Sequence, residues 1–269
     1  REWCEVCIQA RGLGQQHRTV KWKQEIGIDD MPKISSDYCF MSSDESTVPI
    51  LVMKNSRSKR MMATSLSAKG ITDHGVKSYA RFIIQSGLQR CTSQSDNEPS
   101  ILALKSAAAA SCPGVEMVPR SCPVGDHQAN GDVEVSVREI KRQMRAVRYE
   151  LERKLGKQLD ERDVILYWIP QFAADVISWH RRGADGKTSH EREFGKPFSK
   201  PLLIYGEKMM LREAVETVGK LKRDWTYRMI PARFLGYHSR TGSVMGLTAE
   251  GLKLGRGFSR LAEVDRWTL

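Results

Sequence analysis

Residues 123–157 read PVGDHQANGDVEVSVREIKRQMRAVRYELERKLGK. Two turn signals lie close together at the start, Gly125-Asp126 after Pro123 and then Asn130-Gly131. From there the spacing predicts one long helix. Val133, Val137, Ile140, Met144, Val147, Leu151 and Leu155 recur at steps of four and three, the period of an apolar stripe laid on a core. One flank of that stripe carries Glu134, Arg138, Lys141, Arg145 and Arg148. The other carries Asp132, Ser136, Glu139 and Gln143. A single carboxylate, Glu134, thus heads a row of cations. Such a row is a solvated helix face in its plainest reading. In its sharper reading it is a place where metal ions and phosphates meet.

Upstream of this helix the chain alternates short apolar runs with turns. Ile34–Met41, Pro49–Lys54 and Met61–Leu66 read as three hairpin-linked strands. Asp73–Ile84 reads as a helix capped by Thr72 or Asp73 and stopped near Gly87. Cys91–Ser95 is a fourth strand, Ser100–Ser111 a helix opened by Pro99, and Gly114–Pro119 a fifth strand. The order predicts an α/β fold with a mixed five-stranded sheet and flanking helices. Two acids interrupt this scheme. Asp37 sits inside an apolar strand, where a carboxylate is costly unless it is paired or bound to metal. Asp96 follows the fourth strand directly. Taken singly, each has an ordinary explanation, as an edge acid facing water or as a cap or turn residue.

The 269 residues carry 43 Lys and Arg against 32 Asp and Glu, a formal charge of +11. An excess of that size favours a polyanionic partner, nucleic acid above all. No apolar run is long enough to span a membrane, and no secretory signal is expected. The sequence begins at Arg1 rather than at a methionine and is read as a piece of a longer polypeptide. The six cysteines are expected as free thiols in a reducing compartment, since a chain of this size can build a core without disulfides. Cys4 and Cys7 form a C-x2-C knuckle, half of a zinc site or simply two thiols, with His17 a candidate third ligand.

These pieces resemble the catalytic core of retroviral and long-terminal-repeat retrotransposon integrases, the D,D-35-E group with an RNase H-like fold. The resemblance is carried by Ser36-Asp37 in the first strand, by Ser95-Asp96-Asn97-Glu98-Pro99 after the fourth, and by Gln128-Ala129-Asn130-Gly131-Asp132-Val133-Glu134 at the start of the long helix. Between Asp96 and Glu134 lie 37 residues, close to the spacing that names the group. The chain departs from the family in having Val135 directly after the glutamate and Asn97-Glu98 directly after the second aspartate. Cys4 and Cys7 look like the second half of the family's His-His-Cys-Cys zinc module. Arg233-Phe234-Leu235-Gly236 with Gly251 and Arg266-Trp267 looks like a small, SH3-like β-barrel tail of copia-type elements.

The resemblance implies a truncated zinc module over 1–30, a catalytic core over 31–160, a helix and linker over 161–199 and a barrel over 200–269. It implies processing of DNA 3′ ends and strand transfer, with two Mg²⁺ or Mn²⁺ ions roughly 3.5–4 Å apart held by Asp37, Asp96 and Glu134. Three unpaired acids brought together would repel, so without metal at least one of them should be harder to ionise. The implied partners are the element's DNA ends and target DNA. Gln128 and Asn130 would touch the ends, and Arg138, Lys141, Arg145 and Arg148 the phosphate backbone. The resemblance also implies a homo-oligomer and a nuclear site of action. Glu98, Asp126 and Asp132 are rival acids. A non-catalytic nucleic-acid-binding remnant of a retrotransposon polyprotein is the alternative, and another RNase H-like nuclease a third reading.

Beyond the long helix, Asp160–Asp163 is expected to open a further helix bearing Val164, Ile165, Trp168, Phe172, Val176 and Trp179. Gly183–Ser199 is expected as linker or extended arm. About five strands are expected in the tail: Pro201–Tyr205, Ala232–Tyr237, Ser243–Leu247, Leu252–Leu254 and Phe258–Leu261. Lys208–Lys222 is read as either barrel or helix.

Overall fold

The computed structural model describes residues 5, 6, 9, 31–41, 48–121, 131–213 and 227–267. Two compact units divide these. One comprises 1–146 and 173–198, the other 147–172 and 199–269. Cys4, Cys7, Gln128 and Asn130, together with His17 and Asp126, lie outside the described residues.

The first unit is built on a five-stranded sheet of order β3-β2-β1-β4-β5. Its strands are β1 (Lys33–Cys39), β2 (Ile50–Asn55), β3 (Met61–Ser65), β4 (Arg90–Ser95) and β5 (Glu116–Ser121). β1, β2 and β3 pair antiparallel, as hairpins must. β4 and β5 each follow a helical crossover and join parallel to β1 and to β4. The sheet is therefore mixed, as expected, with each strand within a few residues of its predicted place.

Helices α1 (Asp73–Gln85) and α2 (Pro99–Ala110) make the two crossovers. Thr72 caps α1, its hydroxyl accepting from the Gly75 amide at 3.0 Å. Pro99 opens α2 at a position where a missing N–H costs nothing. Both helices pack on one face of the sheet. Ile34, Tyr38, Leu51, Met53 and Cys91 of the strands meet Tyr79, Phe82 and Ile83 of α1 and Ile101, Leu104 and Ala108 of α2. Helix α3 (Gly131–Leu155) is the predicted long helix, with Val133, Ile140, Met144, Val147 and Leu151 buried along its stripe.

The segment expected as linker is ordered instead. α4 (Ile169–His180) follows a 3-10 turn over Val164–Trp168 that Asp163 caps, so the helical stretch starts later than expected. Then α5 (Ser189–Phe194) is set by a capping box between Thr188 and Glu191. The side chain of Glu193 in α5 is enclosed. It accepts from Arg60 at 2.6 Å and from the Ser58 hydroxyl at 2.7 Å, fixing the short helix to the start of β3. Trp179 stacks on Phe198 with ring centroids 4.0 Å apart.

The second unit contains a closed four-stranded barrel of β6 (Lys208–Glu213), β7 (Ile230–Tyr237), β8 (Val244–Thr248) and β9 (Gly251–Arg260). Three expectations need correction. Lys208–Glu213 is a strand rather than part of a helix, because β7 and β9 pair with it on both sides. Pro201–Tyr205 is not a strand. The two segments expected at 252–254 and 258–261 are one continuous strand, so the described barrel has four strands rather than about five. Its interior holds Met209, Leu211, Ala232, Phe234 and Val244. Buried Glu207 closes one end, accepting from Arg260 at 2.7 and 2.9 Å. Residues 147–172 complete this unit. The Tyr205 hydroxyl donates to the Ile165 carbonyl at 2.5 Å, and Phe172 packs on Tyr205 and Phe234. At Gly206 the backbone has a φ of +77°, and a Cβ there would strike Leu151.

Candidate active site

Side chains alternate across a strand, and hydrogen bonds show which way β1 and β4 face. The Ser36 and Ser93 hydroxyls bond the Tyr79 hydroxyl of α1 at 3.2 and 3.0 Å. Lys105 of α2 donates to the Ser95 hydroxyl at 3.0 Å. Ser36, Ser93 and Ser95 therefore face α1 and α2, Asp37 emerges on the opposite side, and Asp96 follows directly on the end of β4. That side is the one α3 covers: Lys54 of β2 pairs with Asp132 of α3 at 3.6 Å. The Lys141 charge also reaches the Cys39 thiol of β1.

The parallel ladder sets the height of the two aspartates. Lys33, Ile34 and Ser35 pair with Thr92, Ser93 and Gln94, a constant offset of 59 residues. The ladder stops at Ser35 and Gln94, so Asp37, two residues on in β1, and Asp96, just past the end of β4, both lie toward the carboxyl ends of neighbouring parallel strands. From β1 the chain turns to β2 on one side, and from β4 it crosses to β5 on the other. This is the switch point of the sheet, where open α/β sheets bind ligands.

Electrostatics tie the third acid to this pair. The Asp37 carboxyl is pushed up from 3.8 to about 6, first by burial and then by the charge of Asp96, with smaller contributions from Glu98 and Glu134. The Tyr38 amide, donating to Asp37 Oδ1 at 2.7 Å, works against the rise. Asp96 and Glu134 are thus each within electrostatic range of Asp37, which is hard to ionise, chiefly because it is buried. Among the described residues, no three ligating side chains are gathered closely enough to hold an ion as they stand. Glu134 is exposed in the first turn of α3. The three side chains offer only hard carboxylate oxygen, two of them half-buried toward the ends of the central strands, a donor chemistry that fits Mg²⁺ or Mn²⁺ better than softer metals.

The rival acids sort by their partners. Burial works to raise the Glu98 carboxyl, but hydrogen bonds from Lys69 at 2.9 Å and Ser100 at 2.7 Å outweigh it, so Glu98 ionises more easily than usual. Asp132 is committed to Lys54. Of the predicted backbone-binding cations, Arg138 and Arg145 are exposed and Lys141 is half-buried near the end of β1. Arg148 is spent within its own unit, donating to Glu152 at 2.9 Å and to the Leu159 carbonyl at 3.0 Å.

Sequence reading missed Lys105. It lies next to the buried stripe Ile101, Leu104, Ala108, and is itself buried. A lysine inside the alanine-rich stretch Ser100–Ala110 was the available signal.

No protein-family model and no curated protein matches the sequence. Among solved structures, the chain is similar to one in the simian T-cell lymphotropic virus intasome in complex with the PP2A regulatory subunit B56 gamma, at 13% identity and a TM-score of 0.45, covering 96% of this chain and 87% of that one. It is also similar to the catalytic core domain of BIV integrase, at 16% identity and a TM-score of 0.40, covering 60% of this chain and 93% of that one. Neither likeness is close enough to assign a residue or a reaction.

Proposed function

We propose that the chain is a fragment of a retroelement integrase, with an RNase H-like catalytic core and an SH3-like tail, that processes and joins DNA ends. The observation that supports this reading is that the charges of Asp96 and Glu134 both weigh on the Asp37 carboxyl, at the carboxyl ends of the parallel pair β1 and β4. Strand order 3-2-1-4-5 and the motif spacing agree with it.

Asp37, Asp96 and Glu134 would hold the divalent cations. Bound there, those ions supply Lewis-acid stabilisation of the charge that develops on the attacking and leaving oxygens. The chain's own residues do the rest. In end processing, water attacks a phosphodiester and a 3′-hydroxyl leaves. In strand transfer, that 3′-hydroxyl attacks a target phosphodiester, one P–O bond forming as another breaks. Arg138, Lys141 and Arg145 hold the DNA backbone by charge, giving affinity without sequence choice. Gln128 and Asn130, which precede α3 in the sequence, would contact the element's ends. The active form is a homo-oligomer acting in the nucleus. A zinc ion on Cys4 and Cys7 would need ligands beyond this pair.

The test uses the whole 269-residue chain with duplex oligonucleotides bearing recessed 3′-hydroxyls, in Mg²⁺ or Mn²⁺. Joined products are expected. Asp96→Asn should reduce them at least about a hundredfold, the scale on which loss of one charge-stabilising group is felt, while DNA binding persists. Cleavage without joining would instead indicate a nuclease of the same fold. Tight, salt-sensitive binding with neither product would indicate a non-catalytic remnant.

A further inference from the structure

Asp96 lies one residue past the sheet. The β1–β4 ladder ends at Ser35 and Gln94, and β5 holds β4 only as far as Ser95, paired with Ser121. Asp37, by contrast, remains paired to Val52 of β2. A second grip on the end of β4 comes from behind. Lys105, 5% exposed on α2, sends its ammonium back to the strand, donating to the Ser93 carbonyl at 2.9 Å and the Ser95 hydroxyl at 3.0 Å. Ser95, fully buried, donates in turn to the Asp96 carbonyl at 2.9 Å. On the far side of Asp96, its own Oδ1 accepts the Glu98 amide at 3.4 Å, leading into α2.

An ammonium in the interior is expensive, and an apolar side chain of the same length would fill the space at lower cost. The arrangement does for position what it does not do for stability. It fastens the second and third turns of α2 to the strand end that presents Asp96. We infer that Lys105 and Ser95 form a positioning relay that sets the Asp96 carboxylate for its cation. The inference rests on the proposed role of Asp96. Lys105 is buried behind the strand and is a positioning residue. It acts through Ser95 and the peptide of Asp96.

The experiment compares wild type, Lys105→Met and Ser95→Ala in three measurements: melting temperature without divalent cation, MgCl₂ binding by calorimetry, and strand-transfer kinetics. The relay predicts that Lys105→Met stays folded, binds MgCl₂ about tenfold more weakly, and loses about tenfold in kcat with an unchanged KM for DNA. Ser95→Ala should move in the same direction by a smaller factor, and it covers the case in which Lys105→Met fails to fold. If both variants bind MgCl₂ as wild type does, or if KM rises while kcat holds, the relay is wrong although Asp96 remains a ligand. Wild type that neither binds MgCl₂ nor joins DNA would overturn the integrase reading and the relay with it.

Discussion

Asp37 carries the clearest conflict between stability and use. Its carboxyl titrates near 3.8 in an unfolded chain and near 6 in the folded one, raised by burial and by its acidic neighbours. Between those values the folded state holds more protons than the unfolded state, so stability falls as pH rises through that window and stays reduced above it. A tenfold change in proton affinity corresponds to about 1.4 kcal/mol. Asp37 is partly screened by solvent, so the discounted penalty is about 2 kcal/mol at pH 7.5. Asp37→Asn should therefore raise the urea midpoint at pH 7.5 in the absence of divalent cations, and the gain should vanish near pH 4. MgCl₂ should stabilise wild type and leave Asp37→Asn unmoved. An equal loss of stability at both pH values in the asparagine variant would mean that the strained carboxylate is not there. A residue whose neutralisation stabilises the fold is retained for something other than the fold.

At the scale of elements, α5 shows what a buried ion pair does in a short segment. Six residues cannot hold a helix by themselves. The capping box sets its start, and Glu193 fixes it to Arg60, whose guanidinium also donates to Gln85 at 2.9 Å and lies over the Phe82 and Phe194 rings. Both charged side chains of the pair are under 10% exposed. Removing one partner leaves the other uncompensated, so Glu193→Ala should cost about 3 kcal/mol, read as a shift in the denaturant midpoint. Replacing both, as in Glu193→Leu with Arg60→Met, should recover most of it. The capping box of α5 was legible as Thr188-Ser189-His190-Glu191, but the surrounding glycines and charges masked it. β6 was obscured differently. Met209, Met210 and Leu211 followed by Ala214 and Val215 suit a helical period as well as a strand, and only pairing to β7 and β9 decides. The five core strands were legible because apolar alternation and turn residues agree there. Asp37 was legible because a carboxylate inside an apolar strand is costly, whereas Asp96 and Glu134 stood out through the spacing that the resemblance supplies, since an acid after a strand or in a helix first turn is unremarkable by itself. Lys105 and Ser95 were not, since a buried lysine and a buried serine declare themselves only through their partners.

At the scale of the whole molecule, chain order and compact units do not coincide. Sequence reading placed the tail boundary at 200 and assigned 161–199 to helix and linker. Yet the unit that contains the barrel also takes 147–172, which the chain makes well before it reaches β6. Nothing local in the sequence reports this, because Leu151, Ile165 and Phe172 read only as apolar positions on helical segments. Their partners, Gly206, Tyr205 and Phe234, lie roughly 40 to 60 residues further on. All three apolar side chains are buried, and burial of each contributes about 1.5–3 kcal/mol. A barrel of roughly 70 residues has a net stability of only about 3–5 kcal/mol to lose. A fragment spanning 199–269 alone should therefore be largely unfolded, with poorly dispersed amide resonances and no cooperative melting. Adding a peptide of residues 147–172 should restore dispersion in proportion to its concentration, because the barrel gains stability by binding it. A 199–269 fragment that melts cooperatively, with a midpoint the peptide does not raise, would show that the barrel closes its own core and that the early segment only leans on it.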